Sequence, residues 1–154
     1  DPDGAACAAW LRDELDLELQ EYFDLSDGTR WGSFLSAGGV KTDVAVVQDA
    51  AEEPPALHHV AYKVGSVEQL FAAADALSER GITADGGPGM HAITRAQFLY
   101  VEDPASGHRI ELSAGGYHVF NPNWEPVAWR EEDIGDDDDH QWVGMGASEG
   151  RVHY

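Results

Sequence analysis

Cysteine and long apolar runs are what this chain of 154 residues has least of. Cys7 is the only cysteine, which excludes an internal disulfide framework. No apolar run approaches the roughly 20 residues that a membrane-spanning helix needs, and no stretch resembles a signal peptide. We therefore expect a cytoplasmic protein that has no membrane partner.

Basic residues are scarce as well. The chain has 29 Asp and Glu against nine Lys and Arg, a formal net charge of -20, and its only lysines are Lys41 and Lys63. A surface of this charge repels the phosphates of nucleic acids, so we expect no nucleic-acid partner. Many carboxylates and few lysines are typical of proteins from a high-salt cytoplasm. An acidic mesophilic protein with an acidic tail explains the same composition equally well.

The first third of the chain has the pattern of a helix followed by three strands. Apolar residues at helical spacing follow Asp3, which can cap the helix N-terminus. Alternating apolar and polar residues then predict strands at 17–23, 30–36 and 42–47. An acidic segment at 48–56 contains two adjacent prolines and ends this part, because proline cannot enter a central strand.

A second part starts at Leu57 with a strand-like stretch at 58–64. Ser66 then has the character of a helix N-cap, with Gln69 at the capping-box position, and Gly81 is placed to end the helix. Three further strands are predicted at 82–85, 96–102 and 108–113.

The two parts have the same order of elements, apart from one strand. The second part is a complete βαβββ unit, and the first is the same unit without its leading strand. This internal repeat predicts an α+β fold of paired βαβββ modules, in which a strand preceding Asp1 is absent from this chain. We expect an incomplete first module at 1–50, a second module with the metal site at 57–116, and a C-terminal extension with an acidic tail at 117–154.

Residues 57–111 contain the ligand types of a metal centre. Two histidines and one carboxylate that project from strands are the ligand set of a non-haem Fe(II) site with open positions. This stretch supplies one such histidine and a carboxylate, while the position of the second histidine stays open. The carboxylate, Glu111, lies in an apolar strand where an unpaired charge is costly, and either a metal or a salt bridge to an arginine removes that cost.

The chain resembles a known family over residues 9–129. It is similar to the C-terminal domain of type I extradiol ring-cleavage dioxygenases of the catechol 2,3-dioxygenase kind, in the vicinal oxygen chelate superfamily. The resemblance implies Fe(II)-dependent cleavage of a catechol-type aromatic diol with O2, where Mn(II) could replace iron. The matching stretches are LHHVAY (57–62), GPGMH (87–91), FLYVEDP (98–104), HRIEL (108–112) and GGYHVFNPNWEP (115–126).

The resemblance assigns roles to four residues of the second module. His59 and Glu111 fall on metal-ligand positions of the family. His91 matches a histidine beside the substrate, and Tyr100 matches a tyrosine that hydrogen-bonds a substrate oxygen. His58 has a structural interpretation, because alternation along a strand turns its side chain away from that of His59.

Two departures from the family concern the first module. The family's first histidine ligand lies on the leading strand that we expect to be missing, so we expect an incomplete metal site, with His91 the alternative second histidine. Thr42 stands where the family has a histidine used in proton handling, and threonine does not titrate near neutral pH. Thr42, Phe34 and Tyr117 are the candidates for substrate binding.

Other functions fit the same scaffold. A glyoxalase-like isomerase or transferase would use the metal only as a Lewis acid, whereas a binding protein of the bleomycin-sequestering kind needs no metal. An inactive half-domain is a third alternative. For the enzyme we expect a homo-oligomer whose partners are the aromatic diol and O2.

Overall fold

The computed structural model describes residues 3–48 and 56–130, together with the backbone of Trp142–Val143. The acidic run at 136–139 lies outside the described residues, as do His140 and His153. In chain order the elements are α1 (Gly4–Leu15), β1 (Glu18–Asp24), β2 (Arg30–Ser36), β3 (Val44–Val47), β4 (Val60–Lys63), α2 (Val67–Glu79), β5 (Gly86–Met90), β6 (Ala96–Glu102), β7 (Arg109–Gly115), β8 (Val127–Arg130) and β9 (Trp142–Val143). None of the described helices is long and apolar enough to cross a membrane.

The chain divides into two units. Unit 1 contains Asp1–Ala56 and Tyr117–Asp137, and unit 2 contains Leu57–Gly116 and Asp138–Tyr154. Each unit has its own sheet, with strand order β3-β2-β1-β8 in the first and β4-β7-β6-β5-β9 in the second. Helices and sheets combined in this way confirm the α+β class that the repeat predicted.

Unit 1 is built from α1 and a mixed sheet. The side chain of Asp3 caps α1, since it accepts a hydrogen bond from the backbone N–H of Ala6 at 3.0 Å. Strands β1, β2 and β3 pair antiparallel, and β8 pairs parallel with β1. The apolar core between α1 and the sheet consists of Ala8, Leu17, Leu35 and Val46.

Unit 2 is the complete βαβββ module. Its leading strand β4 pairs parallel with β7, and β5, β6 and β7 pair antiparallel. Helix α2 begins after Ser66, whose hydroxyl oxygen accepts from the Gln69 N–H, and Gly81 follows its end with a positive φ of 70°. The core under α2 consists of Leu70, Leu99 and Ala114.

The predicted strand at 82–85 is wrong. The strand that pairs with β6 at this place is β5, Gly86–Met90, which contains three glycines and was not predicted as a strand. Glycine is needed here because a Cβ on Gly87 would lie 2.6 Å from the carbonyl oxygen of Phe98 on the neighbouring strand. The glycines that this close approach requires do not show the apolar and polar alternation of a strand. The sequence pattern therefore does not predict β5.

The predicted strands at 42–47 and 58–64 start too early and the second also ends too late. Before β3, the carboxylate of Asp43 accepts from Ser36 Oγ and from the Ala37 N–H, which ties this residue into a turn. Thr42 consequently precedes β3 instead of lying on it, contrary to the prediction. Strand β8 was also missed, because its partner β1 is about a hundred residues away in the sequence.

Candidate metal centre and active site

The face of the unit 2 sheet that is turned away from α2 carries the predicted site. Glu111 lies on β7 opposite Tyr100 of β6 and beside Ala61 of β4. Side chains alternate along a strand, so the neighbours of Glu111 on β7 point to the α2 side while Glu111 points away from it. Glu111 is only 6% exposed, so the fold removes a carboxylate from most of its water.

Two imidazoles approach the buried carboxylate of Glu111. His59 Nε2 lies 2.9 Å from Oε2, and His91 Nε2 lies 3.8 Å from Oε1. Burial raises the pKa of Glu111, but the neighbouring imidazoles of His59 and His91 outweigh it and hold the pKa below its usual value. Glu111 is therefore ionised at neutral pH, and its carboxylate forms one cluster with the two imidazoles.

The prediction that His58 points away from His59 is wrong. Both residues precede β4, so the alternation of a regular strand does not apply to them. Their Nδ1 atoms lie 2.6 Å apart and their ring centroids 4.9 Å apart. His58 is therefore a direct neighbour of the predicted ligand.

Tyr100 and His91 are hydrogen-bonded to each other. Tyr100 Oη lies 3.2 Å from His91 Nε2, and the His91 ring stacks on Phe98 at 4.2 Å between centroids. Burial, together with the negative charge of Glu111, raises the pKa of Tyr100 well above its usual value. The tyrosine therefore keeps its proton at neutral pH and can donate it in a hydrogen bond.

An arginine completes the surroundings of this cluster, and sequence reasoning missed its role. Arg109 forms an ion pair with Asp85, and its Nη1 lies 2.6 Å from His58 Nε2. The sequence analysis had considered an arginine as a partner for Glu111, but Glu111 faces the two histidines instead. The available signal was the position of Arg109, two residues before Glu111 on the same strand.

The donor atoms of this cluster fit a divalent metal. Imidazole nitrogen and carboxylate oxygen are ligands that both Fe(II) and Mn(II) accept. His59 Nε2 and the Glu111 carboxylate already face each other, so one ion could be bound by both. Among residues 3–48 and 56–130, no group of three or more His, Cys, Asp and Glu side chains has the arrangement of a metal centre.

The three candidates for substrate binding belong to unit 1. Phe34 lies on β2 opposite Glu21 of β1, and Tyr117 Oη donates a hydrogen bond to Glu21 Oε1. The hydroxyl oxygen of Thr42 is buried and makes no hydrogen bond to any described residue.

Tyr117 and Glu21 also contact a buried lysine that the sequence analysis did not single out. Lys41 is 4% exposed, forms an ion pair with Glu21, which is 1% exposed, and lies 4.2 Å from the centre of the Tyr117 ring. Burial lowers the pKa of Lys41 to about 8, although the charge of Glu21 acts to raise it. Burial and the bond to Glu21 raise the pKa of Tyr117. The sequence did offer a signal for this pair. Glu21 lies at an inward position of the predicted strand at 17–23, and the chain has only two lysines that could pair with it.

Comparison with known proteins agrees with this arrangement. Residues 1–112 match the family described as the Glyoxalase/Bleomycin resistance protein/Dioxygenase superfamily. A protein of Geobacillus genomosp. 3 named manganese-dependent 2,3-dihydroxybiphenyl 1,2-dioxygenase is 44% identical over 126 residues, which are 81% of this chain and 40% of that protein. A metapyrocatechase of Geobacillus stearothermophilus is 34% identical over 136 residues, which are 88% of this chain and 41% of the relative.

A solved structure shows the same fold. Homoprotocatechuate 2,3-dioxygenase from Arthrobacter globiformis superposes with a TM-score of 0.77 at 27% sequence identity, over 86% of this chain and 40% of that one. The chain thus spans about 40% of the length of the curated relatives that it matches. Because the family matches residues 1–112, which are most of this chain, the chain belongs to the glyoxalase/bleomycin resistance protein/dioxygenase superfamily.

Proposed function

We propose that this chain carries the metal-binding part of an extradiol dioxygenase, which opens a catechol-type ring beside its two hydroxyl groups with O2. The observation that carries the proposal is the Glu111 carboxylate, which is buried on a strand and faces the Nε2 atoms of two histidines. The names of the relatives support the same reaction class, since they include a dihydroxybiphenyl dioxygenase and a metapyrocatechase.

We assign His59 and Glu111 as ligands of one Fe(II) or Mn(II) ion. Held by these two residues, such an ion would supply Lewis-acid chemistry that lowers the pKa of the diol hydroxyls. The name of one relative specifies manganese, and the same nitrogen and oxygen donors accept either metal. His59 and Glu111 supply two donors between them, and a further donor comes from His91 or from a residue outside the described ones.

His91 and Tyr100 are the residues that we assign to hydrogen bonding and proton handling. Tyr100 stays protonated because its pKa is raised, so it can donate to a negatively charged diol oxygen. His91 bonds to Tyr100 through Nε2, which also faces Glu111, so a proton on this nitrogen has two acceptors within reach. Stacking on Phe98 fixes the plane of the His91 ring. General acid–base groups held in this way contribute roughly 10²- to 10⁴-fold to rates.

Thr42, Phe34 and Tyr117 remain our candidates for substrate binding. The buried hydroxyl of Thr42 has no partner among the described residues, so a substrate oxygen could satisfy it. Phe34 provides apolar surface of the kind that an aromatic ring packs against. Tyr117 offers only its ring, because its hydroxyl donates to Glu21.

The experiment measures oxygen uptake and the yellow ring-opened product. The full-length protein is loaded with Fe(II) or Mn(II) without air and offered catechol, alkyl catechols and 2,3-dihydroxybiphenyl. We expect uptake that His91→Ala lowers by about 10²-fold or more. His108→Ala is the matched control, because His108 lies in an exposed turn near the same strand and should leave the rate unchanged. A metal-loaded protein that consumes no oxygen with any catechol, yet isomerises a thiol adduct, belongs to the glyoxalase-like class instead.

A further inference from the structure

Glu21 faces away from the apolar core of unit 1 because the register of β1 shifts just before it. Leu19 pairs with Leu35 of β2, and both pack in the core under α1. Glu21 lies two positions further along β1, yet its partner is Phe34, only one position from Leu35. Paired side chains share a face of the sheet and alternate along each strand, so this β-bulge turns Glu21 to the face that carries Phe34.

The burial of Glu21 depends on Lys41. The side chains of Glu21 and Lys41 are 1% and 4% exposed and form an ion pair. A carboxylate buried without a cation is costly, and removing one member of a buried ion pair leaves the other charge uncompensated. The ammonium of Lys41 therefore keeps a charged oxygen acceptor at a fixed point inside unit 1.

Both members of this ion pair contact Tyr117. Tyr117 Oη donates a hydrogen bond to Glu21 Oε1, and Lys41 Nζ lies 4.2 Å from the centre of the Tyr117 ring. The ring centroid of Trp124 lies 6.0 Å from that of Tyr117, and Trp124 Nε1 donates to the carbonyl oxygen of Gln20 at 3.2 Å. The hydroxyl bond fixes the direction of the Tyr117 ring, and the ammonium and the indole restrict its plane.

These side-chain contacts are important because the backbone around Tyr117 is irregular. Between β7 and β8 the described chain forms no further helix or strand, and a bridge between Val40 and His118 holds the backbone next to Tyr117. The bridge sets the course of the backbone but leaves the direction of the Tyr117 ring to its side-chain partners. Tyr117 is half-buried, so part of the oriented side chain stays accessible.

We propose that the ion pair of Glu21 and Lys41 positions the ring of Tyr117 for the aromatic diol. Phe34 is the cross-strand neighbour of Glu21, so the pair holds Tyr117 on the face of the second aromatic side chain assigned to substrate packing. A ring that is already oriented loses little rotamer freedom when substrate binds, which lowers KM. Glu21 and Lys41 act only through Tyr117, and the inference rests on the proposed function because it takes Tyr117 as part of the diol site.

Three variants separate positioning from stability. Glu21→Met/Lys41→Met removes both charges and the acceptor of the Tyr117 hydroxyl, and replacing a whole buried ion pair by apolar side chains is often neutral for stability. Glu21→Gln/Lys41→Met also removes both charges but keeps a carbonyl oxygen that can accept from Tyr117. Tyr117→Phe keeps the aromatic ring and deletes the hydroxyl that anchors it.

The first test measures the mobility of the Tyr117 ring without substrate. Tyrosine rings of the full-length protein are labelled with carbon-13, and the signal that disappears in Tyr117→Phe identifies Tyr117. We expect the order parameter of this ring to fall in Glu21→Met/Lys41→Met and to stay near the wild-type value in Glu21→Gln/Lys41→Met. An unchanged order parameter in a folded Glu21→Met/Lys41→Met variant overturns the proposal.

The second test determines KM and kcat for a catechol by oxygen uptake of the metal-loaded full-length protein. Tyr117→Phe and Glu21→Met/Lys41→Met should each raise KM about 3- to 10-fold with little change in kcat, since each removes one anchoring hydrogen bond. The two changes combined should raise KM no further, because they remove the same bond. Glu21→Gln/Lys41→Met should restore a KM near that of the wild type.

Asp24→Met/Arg30→Met is the matched control. It removes another ion pair between β1 and β2, and Arg30 packs over Tyr22 rather than Tyr117, so KM should not change.

The outcomes distinguish failure of the positioning from failure of the proposed function. A wild type that consumes no oxygen with any catechol refutes the proposed function and, with it, the role of Tyr117 toward the diol. Oxygen uptake by the wild type, together with an unchanged KM in Tyr117→Phe and Glu21→Met/Lys41→Met, refutes the positioning alone. An equal rise of KM in both double variants also refutes it, because the acceptor would then play no part. A rise that Glu21→Gln/Lys41→Met reverses supports both.

Discussion

At the scale of the residue, the site depends on a carboxylate, Glu111, that is paired with no arginine or lysine among the described residues. Burying an ionised carboxylate without a partner costs several kcal/mol, so Glu111 needs donors or a positive charge. Arg109 is two residues away but makes its contacts with Asp85 and His58. The partners of Glu111 in the described part of the chain include the imidazoles of His59 and His91. Such a carboxylate is well suited to bind a metal ion that it shares with one of these histidines.

Substitution of Thr42 tests substrate binding, and the same variant also shows how the side chain affects stability. Its hydroxyl is buried without a partner among the described residues, so Thr42→Val removes an unsatisfied group and keeps the shape of the side chain. We expect the free energy of unfolding to stay unchanged or to rise by up to about 1 kcal/mol. If the hydroxyl binds the diol, KM rises by about 2- to 10-fold with little change in kcat. A loss of more than about 1 kcal/mol in urea unfolding would show that the hydroxyl already has a structural partner.

The lowered pKa of Lys41 predicts greater stability in mildly alkaline solution. The pKa is about 8 in the folded chain and returns to its usual 10.5 on unfolding. Between these values the unfolded chain binds more protons than the folded chain, so the free energy of unfolding rises with pH. We expect Lys41 to contribute about 1–2 kcal/mol to this rise between pH 8 and pH 10. Above about pH 10 the raised pKa of Tyr117 acts in the opposite direction.

Urea unfolding at several pH values isolates this effect. Lys41→Met removes the titrating group. The free energy of unfolding of this variant should therefore rise less between pH 8 and pH 10 than that of the wild type. Lys63→Met is the matched control, because Lys63 is the other lysine of the chain and is exposed. Parallel pH profiles for the wild type and Lys41→Met would contradict the lowered pKa.

At the scale of the element, β5 shows how a strand can form without a strand-like sequence. Gly87 has a positive φ of 88°, and a Cβ there would lie 2.6 Å from the Phe98 carbonyl oxygen. Any other residue at this position would be strained and would also push β5 away from β6. Because β5 leads directly to His91, its spacing from β6 sets the distance between His91 and Tyr100.

Gly87→Ala should therefore destabilise unit 2 more than an equally strained glycine substitution elsewhere. We expect a loss of about 2 kcal/mol or more for Gly87→Ala. Gly81→Ala is the matched control, since Gly81 has a φ of 70° but no atom within 4 Å of the added Cβ, and we expect about 1 kcal/mol. Hydrogen exchange of the β5 and β6 amides checks the location of the effect. Equal losses for the two variants would mean that close approach plays no part.

Sequence patterns predicted those elements whose formation depends on local rules. The strands at 30–36 and 96–102 have the predicted bounds, because apolar alternation and flanking turns both mark them. Helix α2 begins and ends at its predicted caps for the same reason. Strands β5 and β8 escaped prediction, because backbone approach decides the first and pairing with a distant strand decides the second.

In the candidate site, too, some features could be predicted from the sequence and others could not. His59, His91, Tyr100 and Glu111 could be named from motifs, and the structure brings them together in unit 2. The contacts of Arg109 with Asp85 and His58 could not be predicted, since they depend on side-chain directions where β4 has not yet started.

At the scale of the whole molecule, the net charge of -20 is the dominant feature. In the described part, ion pairs to carboxylates engage Arg12, Arg30, Lys41 and Arg109. The chain has 29 Asp and Glu, so most carboxylates lie in a field of like charge that destabilises the compact state. Salt shortens the range of this repulsion to roughly 3 Å at 1 M.

Stability should consequently rise with salt. Between about 0.05 and 1 M KCl we expect the free energy of unfolding to rise by an amount on the order of 1–3 kcal/mol. The control is the same comparison at about pH 4.5, where many carboxylates are protonated and the salt effect should shrink. Stability that falls or stays level with salt at neutral pH would show that repulsion does not limit this fold.

The central claim is that His59 and Glu111 bind one metal ion, and metal content tests it most directly. The full-length wild type and the variants His59→Ala, Glu111→Ala and His108→Ala are loaded with Fe(II) or Mn(II) without air, freed of excess metal and analysed for bound metal. We predict near-stoichiometric metal in the wild type and His108→Ala, and loss of most of it in the other two. Full metal content in both His59→Ala and Glu111→Ala would contradict the account.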